Sequence, residues 1–394
     1  MSLSVSNRLT RIKPSATGAV LSKATALKQE GVDIISFGAG EPDFDTPEPI
    51  REAAIAAINA GKTRYTPVDG SAELKAAIAT KFRRDNGLEF EPSELLVSGG
   101  AKQSLFNLCM ALLGPDDEAV ISAPYWVSYP EMIRLADATP SIINTGMTAG
   151  FKITPEQLEE ALNQRSRLLI LNSPGNPTGA AYTAAELRAL GRVLESYPDV
   201  VIAADDIYEH VYWGAEAFAT FAAACPDLAD RTVTVNGVSK AYAMTGWRIG
   251  FAAGPSWIIE AMSTIQSQST SNACSISQAA AASALTGDQT PLAGMRDAYR
   301  QRHDLIVAGL NAIDGVRCRA GEGTFYAFPD VSGVISRLGL DDDIALADRL
   351  LDSARVACVP GTAFGAPGHL RFSFACSLAE VQSGIDRLKH AFSA

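Results

Sequence analysis

The sequence has few of the residues that build metal centres and disulfide frames. Its 394 residues include six scattered cysteines, with no Cys-x-x-Cys pair, and only four histidines, which lie far apart. Zinc sites and small disulfide-bonded domains need closer and more regular spacing. We therefore predict no metal centre, and reduced thiols of the kind found in cytoplasmic proteins.

Long apolar runs and excess positive charge are also missing. No apolar run is long enough to span a bilayer, and Met1–Arg8 lacks the apolar core of a signal peptide. The net charge is −11 and the isoelectric point is about 5.0, which disfavours broad binding to nucleic acid or to anionic membranes. The sequence predicts a cytoplasmic protein without nucleic-acid or membrane partners, in which local cations must hold any anionic ligand.

The order of predicted elements divides the chain in two. From residue 71 strands alternate with helices, which is typical of an α/β fold with a mostly parallel sheet, and beyond about residue 290 the pattern becomes α+β. A chain of this length usually exceeds one core. We predict a large domain at 48–288 and a smaller α+β domain built from 1–47 and 289–394.

Local signals predict several boundaries that bear on function. Lys13–Thr17 is a breaker followed by small hydroxyl residues, and the helical spacing begins at Ala19 and ends at Gln29. Ser71 is placed to cap the helix that follows it. A strand is predicted around Val316–Arg319.

A lysine and an arginine stand together in Ser239–Arg248, between two strand-like apolar runs. A lysine in weakly polar surroundings can have its ammonium pKa lowered and can form a Schiff base with an aldehyde. Arg248 offers planar donors suited to a phosphate. An aldehyde and a phosphate together indicate pyridoxal phosphate. An isolated lysine is usually only exposed, so this interpretation depends on the rest of the chain.

Other polar segments follow predicted strands, where open α/β sheets bind ligands: Ser98–Gln103, Pro124–Pro130, Asn172–Gly179 and Asp205–Tyr208. A glycine turn before a helix suits a phosphate. Its spacing matches neither the P-loop nor the dinucleotide fingerprint, which disfavours a nicotinamide enzyme. A plain strand-to-helix turn, a tryptophan serving only as core, and a solvated acidic pair remain the alternatives.

Five motifs occur in order: Gly40–Pro47, Pro124–Glu131, Asn172–Gly179, Asp205–His210 and Ser239–Gly250. Together they resemble the fold-type I, pyridoxal-phosphate-dependent aminotransferases of class I. The branch they most resemble is the bacterial aspartate aminotransferases of the Ib subgroup, some of which also use prephenate. The resemblance covers nearly the whole chain. It implies a large domain with a mostly parallel central sheet flanked by helices, and a smaller α+β domain.

The resemblance also implies roles around the cofactor ring. Lys240 would be the catalytic residue and would carry the cofactor as a Schiff base. Asp205 would pair with the pyridine nitrogen, so that the ring can accept electrons. Tyr208 and Asn176 would hydrogen-bond the phenolic oxygen, and Trp126 would stack on the ring.

The phosphate would be bound, by the same resemblance, at a helix N-terminus and in the lysine loop: Gly100, Ala101, Lys102, Ser239 and Arg248. Tyr65 would reach the phosphate of the neighbouring subunit's cofactor, which implies a homodimer with sites at the subunit interface. Gly237 departs from the pattern, because other class I members often have serine there. One phosphate contact is lost as a result, as is common in the Ib branch.

Substrate residues are implied in the same way. Arg371 would clamp the substrate α-carboxylate as a bidentate pair, the N–H of Gly40 would add to it, and Trp126 and Asn176 would also contact the substrate. The segment Gln266–Asn272 has no arginine, whereas animal-type enzymes read the distal carboxylate with one near there.

Lys102, helped by Ser15 and Thr17, is thought to read the distal carboxylate in the Ib branch. All three are present, so the resemblance implies transfer of the amino group of aspartate to 2-oxoglutarate, with prephenate as a further substrate. An aromatic or broad-specificity aminotransferase and a β-lyase remain alternatives. A ligand-sensing regulator domain is disfavoured, because the chain lacks a helix-turn-helix extension and a basic patch.

Overall fold

The computed structural model describes residues 5–393, so residues 1–4 and 394, at the two ends of the predicted small domain, lie outside it. The strands of the described chain are β1 Ile35–Ser36, β2 Leu95–Ser98, β3 Glu118–Ala123, β4 Thr139–Asn144, β5 Ser166–Asn172, β6 Val201–Asp205, β7 Thr232–Gly237, β8 Gly250–Ala253, β9 Tyr326–Ala327, β10 Val356–Ala357, β11 Val359–Pro360 and β12 Leu370–Ser373. Its α-helices are α1 Ala16–Gln29, α2 Glu48–Asn59, α3 Ala72–Asn86, α4 Ala101–Leu112, α5 Tyr129–Leu135, α6 Pro155–Ala161, α7 Ala184–Leu194, α8 Phe221–Ala224, α9 Ser256–Ser267, α10 Ser275–Thr286, α11 Thr290–Asn311, α12 Ser332–Arg337, α13 Asp343–Arg349 and α14 Leu378–Ser393.

A seven-stranded sheet forms the centre, in the order β2-β8-β7-β6-β5-β3-β4. Within this sheet only β8 runs against the others, pairing antiparallel with β2 and with β7. The predicted α/β class with a mostly parallel sheet is confirmed. Because the other six strands run in one direction, the loops that follow β2, β3, β5, β6 and β7 meet at the same edge of the sheet.

Both faces of the sheet are covered by helices, as β5 illustrates. Leu168 and Ile170 pack in one apolar cluster with residues of α4 and α9, whereas Leu169 and Leu171 pack in another with residues of α7. Successive residues of a strand point to opposite faces. A strand buried on both faces therefore reads as the continuous apolar run seen in the sequence.

A second core gathers the elements after residue 290, with α11, α14, β9 and β12 contributing to one cluster. The segment after β1 joins it, because Phe37 is fully buried there and its carbonyl accepts from the N–H of Ser373 at 2.7 Å. Strand β1 also pairs with β10. The division into 48–288 and 1–47 with 289–394 stays a prediction.

Two local predictions need correction and one is confirmed. Helix α1 begins at Ala16, not Ala19, because the Ser15 hydroxyl accepts from the N–H of Gly18 at 3.3 Å and caps the helix earlier. Val316–Arg319 forms no strand, since only Arg317 makes an isolated bridge, to Asp330. Ser71 caps α3 as predicted, accepting from the N–H of Leu74 at 3.2 Å.

Among residues 5–393, none of the helices combines the length and the apolar character that crossing a membrane requires.

Candidate active site

A cavity of about 440 Å³ opens at the edge of the sheet where the parallel strands end. The site residues predicted from the sequence that line it are Ser15, Thr17, Gly40, Ala101, Lys102, Trp126, Asn176, Asp205, Tyr208, Ser239, Lys240, Arg248 and Arg371. Gly100 lies directly before Ala101, at its border. The structure thus brings together residues up to 356 positions apart in the chain, as their predicted roles require.

Lys240 follows β7 and points into this cavity. Its ammonium donates a hydrogen bond to the carbonyl oxygen of Gly40. Burial lowers the pKa of Lys240 to about 8, and the positive charges of Arg371 and Arg248 add to this effect. At pH 7 the neutral amine is then roughly one part in ten, whereas for an ordinary lysine it is roughly one part in 2,500. Such an amine can act as a nucleophile and as a base near neutral pH.

Asp205 is the last residue of β6, and only 4% of its surface is exposed. Its Oδ2 accepts a hydrogen bond from the hydroxyl of Tyr129 at 2.6 Å, and its Oδ1 faces the N–H of Ile207 at 3.4 Å. Burial raises the pKa of Asp205 to about 6, although these two donors and Lys240 oppose the rise. A cation placed beside this carboxylate would be stabilised in a poorly hydrated place.

Tyr208 and Asn176 lie on either side of the same space. The hydroxyl of Tyr208 is 3.0 Å from that of Tyr326, and the N–H of Asn176 donates to Oδ1 of Asn172 at 2.8 Å. Asn172 also donates from Nδ2 to the carbonyl of Asp205 at 2.8 Å, so it ties two strand ends together. Nδ2 of Asn176 donates to no described residue and is available to a ligand.

Arg371 lies on β12 and is only 2% exposed. Its Nη1 donates to Oδ1 of Asn176 at 3.0 Å and its Nη2 to the carbonyl of Gly38 at 2.9 Å. Its guanidinium lies 4.4 Å from the ring centre of Tyr326. In residues 5–393 no carboxylate pairs with it, and its Nε has no partner. Buried charges are normally paired, so an anion from outside the chain fits this position.

The opposite end of the cavity is a helix N-terminus with two further cations. The ammonium of Lys102 lies 4.8 Å from the ring centre of Trp126, and Nη2 of Arg248 donates to the carbonyl of Gly99 at 3.1 Å. Gly100 has φ of 99°, and a Cβ there would lie 2.4 Å from Nη2 of Arg248. The glycine therefore lets the guanidinium approach the start of α4.

These groups fit pyridoxal phosphate. Neither Lys102 nor Arg248 has a carboxylate partner in the described part of the chain, and they flank the start of α4, where backbone N–H groups and the helix dipole favour a phosphate. Lys240 supplies the amine for the aldehyde, and Asp205 supplies the acid for the ring nitrogen.

Ser15 and Thr17 reach the cavity from α1. Their hydroxyl oxygens lie 2.9 Å apart, and Ser15 caps the helix. Because α1 begins earlier than predicted, Thr17 belongs to its first turn and not to an extended arm.

Tyr65 is the one predicted site residue that the structure places away from this cavity. Its side chain is 90% exposed and borders a separate surface groove with Thr270 and Ser271. Its role toward a neighbouring subunit's cofactor stays a prediction.

Several cavity residues received no role from the sequence: Asn172, Tyr129, Tyr326, Glu41 and Thr245. All of them except Tyr326 stand inside the five motifs, and Tyr129 follows Trp126 by three residues, the helical spacing. Tyr326 carries no comparable local signal, because its contact with Tyr208 joins residues 118 positions apart.

One acidic cluster lies outside the cavity and contains Asp85, Glu209 and His210. The ammonium of Lys81 pairs with Glu209 there, and Lys81 is only 1% exposed. A positive charge is thus already supplied by the chain. The absence of a metal centre stays a prediction.

Comparison with known proteins gives the family. The family model "Aminotransferase class I and II" matches residues 32–388. The aspartate/prephenate aminotransferase of Nitrosomonas europaea is 52% identical over 99% of this chain and 100% of that protein, and that of Cereibacter sphaeroides is 52% identical over 98% of each.

Solved structures agree. The aspartate aminotransferase from Rhizobium meliloti has a TM-score of 0.95 and 46% identity, covering 100% of this chain and 99% of that one. The Thermus thermophilus enzyme with maleate has a TM-score of 0.94 and 43% identity, covering 99% and 100%. The chain therefore belongs to the class I and II aminotransferases, and it is a transferase that depends on pyridoxal phosphate.

Proposed function

We propose that the enzyme transfers the amino group of L-aspartate to 2-oxoglutarate, giving oxaloacetate and L-glutamate, in two half-reactions at one cavity, and that it also uses prephenate. One observation carries the proposal: Arg371 and Lys102 both line the cavity, and neither has a carboxylate partner among the described residues. Two separated cations match the two carboxylates of aspartate. The names of the relatives and the maleate-bound structure, which holds a dicarboxylate, support this choice.

The cofactor would be held by residues of several strand ends. Lys240, Asp205, Tyr208, Asn176 and Trp126 would surround the ring. The phosphate would be bound by Gly100, Ala101, Lys102, Ser239 and Arg248. When bound, pyridoxal phosphate supplies the aldehyde that takes up the amino group and a ring that draws electrons from the substrate Cα.

The chain's own residues then orient the substrate and move a proton. Arg371 binds the α-carboxylate, since each of its two Nη atoms has a second N–H beyond those bonded to Asn176 and Gly38. Gly40 adds its N–H. The amine of Lys240, whose pKa is lowered to about 8, takes the proton from the substrate Cα near neutral pH.

The substrate's distal carboxylate would meet Lys102, Ser15 and Thr17. Lysine is a compact charge on a flexible stem, and the two hydroxyls supply adaptable hydrogen bonds. This end of the cavity would therefore select dicarboxylic substrates. It would also leave room for adjustment to the larger prephenate.

We place the enzyme in the cytoplasm as a homodimer in which Tyr65 completes the partner's phosphate site. Support comes from the exposure of Tyr65, at 90%, and of Ile55 and Ile58 on α2, at 48% and 51%. Apolar groups exposed this far suit contact with a second copy. The large and small domains predicted at 48–288 and at 1–47 with 289–394 belong to the same proposal.

Half-reaction spectroscopy tests the substrate. Purified holoenzyme is mixed with one amino acid and no acceptor, and the change of the cofactor's visible absorbance band is followed. We expect conversion with aspartate and glutamate to be at least roughly tenfold faster than with phenylalanine, because loss of one charged contact typically has that size. Prephenate is then supplied as acceptor to the amine-bearing form. Equal or faster conversion with phenylalanine would instead establish an aromatic or broad enzyme, and release of pyruvate and ammonia would establish a β-lyase.

A further inference from the structure

Tyr129 makes the shorter of the two hydrogen bonds that the carboxylate of Asp205 accepts from described residues. It is the first residue of α5 and is 3% exposed. Its hydroxyl is 2.6 Å from Oδ2 of Asp205. The other donor to this carboxylate among the described residues is the N–H of Ile207, at the longer distance of 3.4 Å.

The direction of this bond follows from the chemistry of the two groups. An ionised carboxylate only accepts, so the hydroxyl must donate. Burial and the neighbouring Asp205 raise the pKa of Tyr129 well above its ordinary value, so the donor keeps its proton throughout the working range of pH. A donor to the charged form lowers the pKa of an acid and opposes the effect of burial.

Tyr129 also contacts the aromatic side of the site. Its ring meets that of Trp126 edge to face, with centroids 5.4 Å apart and planes at 84°. Such geometry is a favoured arrangement for two aromatic rings. One side chain thus touches both the acid and the tryptophan that line the cavity.

We propose that Tyr129 is a positioning residue, whose hydroxyl holds Asp205 ionised and oriented for the ring nitrogen of the cofactor and whose ring fixes the plane of Trp126. The inference rests on the proposed role of Asp205. The hydroxyl of Tyr129 would act on the cofactor only through the carboxylate of Asp205.

Cofactor binding by the apoenzyme tests the proposal. In Tyr129→Phe only the hydroxyl is removed, and the ring against Trp126 is kept. The dissociation constant for pyridoxal phosphate is measured from pH 5 to pH 9. We expect binding at pH 7 to weaken roughly tenfold, which is the size of one hydrogen bond to a charged group. The midpoint of the acid limb should rise by about one pH unit, because Asp205 without its donor needs a higher pH to ionise.

Two controls separate this role from simple packing. Tyr125→Phe removes a half-buried hydroxyl that does not bond Asp205, and it should leave the acid limb unchanged. In an Asp205→Asn background, Tyr129→Phe should move the limb no further, since the carboxyl group that titrates is gone. Should the apoenzyme of Tyr129→Phe unfold, the same limb is read from cofactor release by the diluted holoenzyme.

Two results would overturn the proposal for Tyr129: an unmoved acid limb with weaker binding at every pH, which means packing alone, or no change at all. If Asp205→Asn by itself binds the cofactor as the wild type does at every pH, the role assigned to Asp205 fails instead. The two failures are therefore distinguishable.

Discussion

The two walls of the cavity hold their cations in different ways. Arg371 is buried on a strand, bonded to Asn176 and Gly38 and packed between the rings of Tyr326 and Phe364. Lys102 is exposed on the first turn of α4, and its ammonium lies over the face of Trp126. The arginine is held in place by hydrogen bonds, whereas the ammonium of Lys102 makes none to the described residues.

The difference matches what each wall would read. Every amino acid carries an α-carboxylate in the same place, and a pre-organised guanidinium fork suits an invariant target. Side chains of substrates vary in length and charge, and a lysine on a flexible stem suits a variable one. On the proposed roles, the buried and hydrogen-bonded arginine faces the carboxylate that all substrates share, and the exposed lysine faces the side chain in which they differ.

The largest effect is expected from a change that leaves both Arg371 and Lys102 in place. Lys240→Ala removes the amine proposed to move the proton, so turnover should fall by roughly 10⁴-fold. The absorbance band of lysine-bound cofactor should disappear with it, which a spectrum of the purified variant checks. Maleate binding should persist, since neither Arg371 nor Lys102 is touched. Full activity in this variant would contradict the catalytic role proposed for Lys240.

Removing the guanidinium of Arg371 should lower activity toward all substrates by similar factors. In Arg371→Leu we expect kcat/KM for aspartate and for phenylalanine to fall together, by roughly 10²- to 10³-fold, because a desolvated charge pair is lost. Steady-state kinetics with saturating cofactor measures both. Arg317→Leu, which removes an exposed arginine, is the control. A loss restricted to aspartate would show that Arg371 reads the side chain instead.

Removing the charge of Lys102 should lower activity toward aspartate much more than activity toward phenylalanine. Lys102→Ala should lower kcat/KM for aspartate by roughly tenfold to a hundredfold and for phenylalanine by less than about threefold, since only aspartate offers a second charge. Cofactor is kept saturating, because Lys102 also lies near the proposed phosphate site. Lys389→Ala, on the exposed face of α14, is the matched control. Equal losses for both substrates would contradict the proposed reading of the distal carboxylate.

The smallest effect is a shift along the pH axis. Loading of the apoenzyme with cofactor should speed up as pH rises toward 8, where Lys240, with its pKa lowered to about 8, loses its proton. Arg371 is a like charge that lowers this pKa, so Arg371→Leu should move the midpoint upward. Lys102→Ala should leave the midpoint in place. A larger shift in Lys102→Ala than in Arg371→Leu would mean that Lys102, and not Arg371, is the cation that lowers the pKa of Lys240.

Much of the cavity lining could be predicted because strand ends carry local signals, whereas the roles of its residues followed from the resemblance to a family. Lys240 and Asn176 each follow a strand and Asp205 ends one, and parallel strands deliver their ends to one edge. Two residues beside them received no role for a physical reason. Tyr326 contacts Tyr208 across 118 positions of the chain, and the three-residue spacing of Tyr129 from Trp126 does not reveal its bond to Asp205, 76 positions away. The early start of α1 came from a single hydroxyl of Ser15, and such a cap weighs little against the periodicity that follows it.

The hydrogen bond from Arg371 to Gly38 joins residues 333 positions apart. It therefore cannot form until nearly the whole chain has left the ribosome. The strands from β2 to β8, with Lys240 among them, are synthesised first, and contacts this distant in sequence form late. During synthesis the reactive amine thus precedes the arginine proposed to bind the α-carboxylate.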